Sequence, residues 1–171
     1  PFYTKYPELD RNDGYQAQKL RLDMQLSEGQ RRVGFKLGGT SLAKRKQVAL
    51  ELTSGAYIPP DAPTVGQLMD YMRLEEDAEL VLSEYIHPKL EAELAFVLDR
   101  ELFGPNVHAP DVMMATAYVT PAFEIIDSRF RDFKMGGKAD AIIDNVSSRG
   151  FKLGRVRKSP FDVDMTGMGV R

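Results

Sequence analysis

The sequence contains no cysteine and only two histidines, His87 and His108, among its 171 residues. The absence of cysteine excludes a disulfide framework, a thiolate zinc site and a cysteine nucleophile. Two histidines also argue against a histidine-rich metal site. Positive charge is not in excess, since the formal net charge is −2, and this argues against a nucleic-acid partner. The uncharged stretch 112–123 is too short to span a bilayer and contains Pro121, so no membrane segment is predicted.

The overall composition is that of an ordinary globular protein. Apolar residues make up 43% of the chain and charged residues 28%, which is typical of a soluble domain. A chain of this length can bury one sizeable core, so residues 1–171 are predicted to form a single domain. No signal peptide opens the sequence, and a cytoplasmic location is therefore expected.

Local patterns predict helices and strands in an irregular order, which indicates an α+β fold rather than a doubly wound sheet. Asn12 or Asp13 is predicted to cap the first helix, and Gly29 to end it. The acidic run 75–77 is predicted to be a solvated turn. The predicted helices cover 14–28, 42–52 and 110–118, and the predicted strands cover 32–37, 80–85, 90–98, 119–126 and 151–153.

Three carboxylates lie within two apolar segments that read as buried strands. Glu91 and Glu93 are two residues apart, so both leave the same face of one strand, and Glu124 belongs to another strand. Ionised carboxylates among apolar neighbours are costly unless something compensates them. A hard divalent cation such as magnesium or manganese would compensate all three at once. The alternative is a solvated sheet edge, where pairs of glutamates two residues apart are common.

Two further segments carry groups that could act on a ligand. Lys36 ends a short apolar strand before Gly38-Gly39, and is either a buried acid–base group or a strand lysine that points to water. Arg129, in Asp127-Ser128-Arg129, either anchors a substrate carboxylate or forms a structural ion pair at a strand end. The polar cluster 144–148 either lines a site or forms a turn.

Four motifs in this order resemble a known family. The sequence resembles the 2-oxo acid hydratase and decarboxylase branch of the fumarylacetoacetate hydrolase superfamily, whose members act in the meta-cleavage degradation of aromatic compounds. The resemblance covers nearly the whole chain. Its motifs are Gly34-Phe35-Lys36-Leu37-Gly38-x-Thr40-Ser41, Pro88-Lys89-Leu90-Glu91-Ala92-Glu93, Pro121-Ala122-Phe123-Glu124-Ile125-Ile126-Asp127-Ser128-Arg129 and Asp144-Asn145-x-Ser147-Ser148.

The resemblance implies a fold, a metal and a set of site residues. The fold would be a mixed β-sheet roll or barrel of the fumarylacetoacetate hydrolase type with flanking helices. Magnesium, or manganese, would be held by Glu91, Glu93 and Glu124, and Lys36 would be the catalytic acid–base group. The substrate-binding residues would be Ser41, Asp70, Arg129 and Ser147.

Within the branch, the sequence resembles the 4-oxalocrotonate decarboxylases more closely than the hydratases. Hydratases carry a catalytic aspartate two residues before the glycine that matches Gly66, and this position is Thr64 here. The expected reaction is therefore the metal-dependent decarboxylation of a 2-oxo-3-enedioate to a 2-hydroxy-2,4-dienoate. The alternatives are a hydratase of 2-hydroxypenta-2,4-dienoate or 2-oxohept-3-enedioate, and a non-catalytic partner subunit.

Two departures from the family pattern stand out. Gly39 replaces the usual leucine of the lysine motif. Family members also continue through further strands, so the chain is expected to be incomplete at its C-terminal end. The expected partners are a small 2-oxo acid, further copies of the chain in a homo-oligomer, and the hydratase of the same pathway.

Overall fold

A computed structural model describes residues 1–40, 63–166 and 168–169 of the chain. The chain divides into two compact units. The first comprises Pro1–Lys89 and Ile125–Gly150, and the second comprises Leu90–Glu124 and Phe151–Arg171. The predicted helix 42–52 lies outside the described residues.

The first unit is built around a helix, α2, that is fixed at its start by a capping box. After the short helix α1 (Phe2–Lys5), α2 runs over Arg11–Ser27. The Asp10 carboxylate accepts hydrogen bonds from the backbone N–H groups of Asn12 and Asp13, and the Asp13 carboxylate accepts one from Asp10. Two orphan donors of the first turn are thereby satisfied.

One stripe of α2 is buried against helix α4 (Lys138–Ile143). Gly14, Gln18 and Leu22 are its buried residues and recur every four positions, so they lie on one face. A Cβ at Gly14 would lie 3.0 Å from Ile142 Cβ and 3.1 Å from Ala139 Cα. The absence of a side chain at Gly14 therefore lets the two helices approach closely.

The first unit also contains two antiparallel strands. Strand β1 (Arg32–Gly38) pairs with β2 (Thr64–Met69), and the register places Lys36 opposite Gly66. A one-turn 3₁₀ helix follows β2 over Asp70–Met72. The pairing places residues 34–38 of the lysine motif beside residues 64–68 of β2.

A three-stranded sheet has the order β3-β4-β5, and most of β3 and β4 belongs to the second unit. Strand β3 runs over Lys89–Leu98, helix α3 over Ala109–Ala115, β4 over Thr116–Ile126 and β5 over Ser148–Leu153. Val119 and Lys158 exchange two backbone hydrogen bonds of 2.8 and 3.0 Å. Ala115 and Val119 are among the buried residues of this unit.

The structure corrects several predicted boundaries. Helix α2 begins at Arg11 rather than residue 14 because Asp10, and neither Asn12 nor Asp13, is the N-cap. Its end before Gly29, where φ is +86°, is confirmed. Helix α3 stops at Ala115 instead of residue 118, because the backbone from Thr116 onward joins the sheet. Strand β5 begins at Ser148 rather than residue 151.

One predicted strand is wrong. Residues 80–85 contain a 3₁₀ turn over Leu82–Glu84 instead of a strand. The amides of Glu84 and Tyr85 bond locally to the carbonyls of Val81 and Leu82. Val81 and Leu82 are exposed. The backbone groups here form hydrogen bonds within the turn, whereas those of a strand would need a neighbouring strand.

The architecture is α+β, as the sequence predicts. Within the described part of the chain, no helix is both long enough and apolar enough to cross a membrane.

Candidate active site

The three glutamates predicted as metal ligands come together in the second unit. Glu91 and Glu93 lie on β3, and Glu124 lies on the neighbouring strand β4. One carboxylate oxygen from each side chain lies within 4.8 Å of those of the other two. Glu124 is only 4% exposed, while Glu91 is half-buried and Glu93 is exposed. The sheet therefore assembles an acidic cluster that is buried on one side.

This donor set fits a hard divalent cation. All three groups offer carboxylate oxygens, the ligand type that magnesium and manganese prefer. Two unit negative charges at such a separation repel by roughly 3 kcal/mol at the effective dielectric constant near a protein surface. A cation among the three oxygens would replace this repulsion with attraction.

Lys36 occupies a confined position in the first unit. Its side chain is half-buried, and its Nζ donates a hydrogen bond of 3.4 Å to the carbonyl oxygen of Val146. A Cβ at Gly66, directly opposite on β2, would lie 2.9 Å from Lys36 Cγ and Cδ. The amine is thus directed at a backbone carbonyl, and the alternative of a side chain that simply points to water is not observed.

The carbonyl that faces Lys36 belongs to an unusual turn. Asn145, Val146 and Ser147 have φ values of 55°, 55° and 59°, the left-handed region. This conformation costs roughly 1–2 kcal/mol per residue for L-amino acids other than glycine, and a β-branched valine is a clear outlier there. The polar cluster 144–148 is therefore a turn, but a strained one whose conformation surrounding contacts must impose.

Arg129 and Ser147, two of the predicted substrate-binding residues, meet at Asp144. The Arg129 guanidinium forms an ion pair of 2.5 Å with the Asp144 carboxylate, whose side chain is 1% exposed. The hydroxyls of Ser147 and Ser128 donate to the same carboxylate at 3.0 and 2.9 Å. The structural ion pair foreseen as the alternative for Arg129 is thus present.

Part of the Arg129 side chain is nevertheless exposed to solvent. Its side chain is 40% exposed and lines a cavity of about 590 Å³ in the first unit together with Lys5 and Arg21. The ion pair with Asp144 fixes the guanidinium on one side, and its exposed side remains available to an anionic group. Substrate binding by Arg129 and Ser147 stays a prediction.

Asp70, another predicted substrate-binding residue, is also held by an arginine. The fourth such residue, Ser41, lies outside the described residues. The backbone N–H and the guanidinium Nε of Arg31 each donate to the Asp70 carboxylate at 3.2 Å, and the N–H of Tyr71 donates at 3.0 Å. The bond from the Arg31 N–H contributes most, and these bonds together hold the pKa of Asp70 below its ordinary value. Binding of substrate by Asp70 and Ser41 remains a prediction.

Replacing Asp70 with asparagine is expected to reduce stability near neutral pH and progressively less in acid. The native state favours the ionised carboxylate, so its stabilising effect is present above the unfolded-state pKa near 3.8 and is lost as pH falls through the lower native pKa. Urea unfolding of both proteins between about pH 7 and pH 3 measures the difference. The exposed Asp77→Asn is the matched control; a difference for Asp70→Asn that does not shrink in acid would contradict the assignment.

The sequence patterns did not identify two anchoring residues of the first unit. Asp127, 3% exposed, accepts hydrogen bonds from the backbone N–H groups of Ile86 and His87, just before β3 begins. The amide of Asn145 pairs with the backbone of Gln67. The available signal for Asp127 was a carboxylate directly after an apolar strand. Asn145 lies in a polar run and could not be told from an ordinary turn residue by sequence.

Known proteins resemble this chain in sequence and in structure, although no family model matches it. The chain is 34% identical over 165 residues to 4-oxalocrotonate decarboxylase of Pseudomonas sp. (strain CF600), which covers 96% of the chain and 58% of that enzyme. It is 33% identical over 171 residues to 2-hydroxypent-2,4-dienoate hydratase of Pseudomonas putida, which covers 99% of the chain and 72% of the hydratase.

A solved structure gives the same relationship. The 4-oxalocrotonate decarboxylase of Pseudomonas putida G7, in complex with magnesium and adipate, superimposes with a TM-score of 0.81 at 34% identity. The match covers 95% of this chain and 58% of that enzyme. The chain therefore spans somewhat more than half the length of the decarboxylases it matches.

Proposed function

The chain belongs to the 2-oxo acid hydratase and decarboxylase branch of the fumarylacetoacetate hydrolase superfamily, and on this premise we propose that it decarboxylates a 2-oxo-3-enedioate such as 4-oxalocrotonate. The product would be a 2-hydroxy-2,4-dienoate. The observation that carries the proposal is the cluster of Glu91, Glu93 and Glu124, whose oxygens lie within 4.8 Å of one another. Because the chain spans 58% of the CF600 decarboxylase, the activity of the whole protein is inferred from this site.

Magnesium is the proposed cofactor, with manganese as the alternative ion. Glu91 and Glu93 would hold it from β3, and Glu124 from β4. When bound, the ion supplies a Lewis acid for the negative charge that develops on the 2-oxo oxygen, an effect worth several kcal/mol. Because β3 and β4 are neighbours in one sheet, their pairing keeps the three glutamate positions close together.

The reaction itself is a heterolytic cleavage of one carbon–carbon bond. The bond to the distal carboxylate breaks and carbon dioxide leaves. The electron pair of the broken bond is delocalised through the C3–C4 double bond to the oxygen at C2. This oxygen takes up a proton to give the 2-hydroxy-2,4-dienoate. Lys36 is the proposed acid–base group, and its Nζ would stabilise the developing charge or deliver that proton.

Hydration of a 2-hydroxy-2,4-dienoate is the second candidate reaction. The similarity to the Pseudomonas putida hydratase, at 33% identity over 171 residues, supports it. However, the position that matches the catalytic aspartate of hydratases is Thr64, the first residue of β2, which offers no acid. Decarboxylation is therefore the preferred proposal.

An assay with 2-oxohex-3-enedioate and magnesium tests the proposal. We expect release of carbon dioxide with loss of the ultraviolet absorbance of the substrate. The rate should fall by about 100-fold or more in Glu91→Ala/Glu93→Ala, because the lost Lewis-acid effect of several kcal/mol corresponds to at least two tenfold steps. The exposed Glu101→Ala, in the same unit, is the matched control and should retain the rate.

The alternative outcomes separate the two reactions. If no carbon dioxide appears but 2-hydroxypenta-2,4-dienoate is hydrated, the chain is a hydratase. If neither substrate reacts while magnesium still binds, a catalytic function of the chain by itself is ruled out and the non-catalytic subunit becomes the better hypothesis.

Further features of the proposal concern partners and setting. We propose a homo-oligomer that pairs with the hydratase of the same pathway, in the cytoplasmic degradation of aromatic compounds. Comparable identities to a decarboxylase, 34%, and to a hydratase, 33%, support a close relationship between the two partners. Sedimentation velocity of the chain alone and mixed with that hydratase tests both associations.

A further inference from the structure

The strained turn of the first unit contacts the proposed acid–base group directly. Lys36 Nζ donates a hydrogen bond of 3.4 Å to the carbonyl oxygen of Val146, which is in the left-handed conformation. A valine does not adopt this conformation without support from its surroundings. Strain of this kind is retained where neighbouring contacts determine the backbone, commonly at functional sites.

The side chain of Asn145 supplies two of the contacts that hold this turn. Its side chain accepts a hydrogen bond of 2.7 Å from the N–H of Gln67 and donates one of 2.9 Å to the carbonyl of Gln67. Both polar groups of one side-chain amide thus pair with one residue of β2, as the backbone of a neighbouring strand would. Asn145 is only 5% exposed, so water does not compete for these bonds.

Helix α2 closes the same network from the other side. Gln18, also 5% exposed, donates at 3.5 Å to the Asn145 side-chain oxygen and accepts a hydrogen bond of 3.0 Å from the Gln67 side chain. Gln67 Oε1 is buried and accepts no hydrogen bond, but the bonds that the three side chains do make favour a single arrangement. The turn is therefore fixed to both the strand and the helix.

Strand β2, to which Asn145 is hydrogen-bonded, is also the partner of β1, the strand that carries Lys36. Lys36 lies opposite Gly66, the residue before Gln67. A Cβ at Gly66 would lie 2.9 Å from the Asn145 carbonyl oxygen and 2.9 Å from the aliphatic stem of Lys36. Lys36, the turn and β2 consequently meet at a place where only glycine fits.

We infer that Asn145 is a positioning residue that acts through Lys36. Its amide holds the left-handed turn against β2, and the turn presents the Val146 carbonyl to the Lys36 amine, so the amine keeps one orientation. The inference rests on the proposed role of Lys36 as the acid–base group and adds the element that places it.

Two substitutions separate the amide from the backbone conformation. Asn145→Gly removes the side chain and tolerates the positive φ, and Asn145→Asp keeps the acceptor for the Gln67 N–H and lacks the amide donor. We expect kcat of Asn145→Gly to fall by roughly 10- to 100-fold, as for a misplaced catalytic group, and KM to change little. Asn145→Asp should recover part of the loss. Asp132→Ala is the matched control, because Asp132 also has a φ of 55° but is exposed.

A second readout does not depend on activity. The rate at which acetic anhydride labels Lys36, measured by mass spectrometry under conditions where each variant is folded, reports how its amine is held. We expect faster labelling in Asn145→Gly than in the original protein, and no change in Asp132→Ala.

The outcomes distinguish this inference from the proposed function. If Lys36 is labelled at the original rate in folded Asn145→Gly, Asn145 has only a structural role and the inference is overturned, whatever happens to kcat. If labelling accelerates while a Lys36→Met variant still turns over substrate, the contact stands and the catalytic role of Lys36 fails. If Asn145→Gly does not fold, Asn145→Asp decides: it lacks the donor to the Gln67 carbonyl, so Lys36 should be labelled faster than in the original protein, and labelling at the original rate overturns the inference.

Discussion

Replacing Lys36 with methionine is expected to lower kcat by roughly 100- to 10,000-fold, the range typical of a lost acid–base group. Methionine keeps an unbranched stem of similar length, which can still lie over Gly66, where the Lys36 stem now packs. The substitution therefore removes the amine and its bond to the Val146 carbonyl while it disturbs the β1–β2 pairing little. Steady-state kinetics with 2-oxohex-3-enedioate measure the effect.

Magnesium binding and a second lysine provide the controls for this experiment. Lys36→Met keeps all three carboxylates of the glutamate cluster, so this variant should still bind magnesium. Lys19→Met removes an exposed lysine of α2 that pairs with Asp23, and kcat should stay at the original level. Full turnover by Lys36→Met would eliminate Lys36 from the mechanism, and weakened magnesium binding would point to a general loss of structure.

The elements that carry the glutamates were the most predictable part of the chain. The alternation of side chains in 90–98 placed Glu91 and Glu93 on one face, and β3 runs over Lys89–Leu98 as expected. The third acid, in a second apolar segment, favoured a shared metal site, and β4, which carries it, is the neighbour of β3. Local periodicity combined with the cost of burying charge therefore favoured a metal site with a solvated sheet edge as the alternative, and the family resemblance implied the set of three ligands.

Contacts between distant segments were not predictable in this way. Asn145 and Gln67 are separated by 78 residues in sequence, and nothing in either segment indicates that the amide of one pairs with the backbone of the other. The position of Lys36 shows the same limit. An apolar strand is compatible with a lysine on either side, and the hydrogen bond from the Lys36 amine to the Val146 carbonyl depends on residues 144–148, which are distant in sequence.

Competition between local signals explains the errors in element boundaries. Asn12, Asp13 and Asp10 are all good N-caps by residue type, and the reciprocal bonds between Asp10 and Asp13 select the earliest one. The apolar residues of 80–85 indicated a strand, but Val81 and Leu82 are exposed and their backbone forms a local turn. Residue type alone does not reveal whether a partner strand exists.

Replacing Glu124 with glutamine is expected to abolish most of the magnesium affinity. Glutamine has nearly the same shape, so the change removes the negative charge and one oxygen without leaving a cavity. Glu124 is 4% exposed, whereas Glu93 is exposed, and a charge shielded from water attracts a cation more strongly. We therefore expect a larger loss of affinity for Glu124→Gln than for Glu93→Gln in isothermal titration calorimetry.

Thermal unfolding gives an independent measure of the same site. A ligand at about 100 times its Kd stabilises the folded state by about 2.7 kcal/mol, which corresponds to a rise in Tm of roughly 5–10 °C for a chain of this size. Magnesium should produce this rise in the original protein and in the exposed control Glu101→Gln, and the rise should be lost in Glu124→Gln. An equal rise in all three proteins would show that magnesium binds elsewhere, and the cluster of Glu91, Glu93 and Glu124 would then lose its role in the proposed reaction.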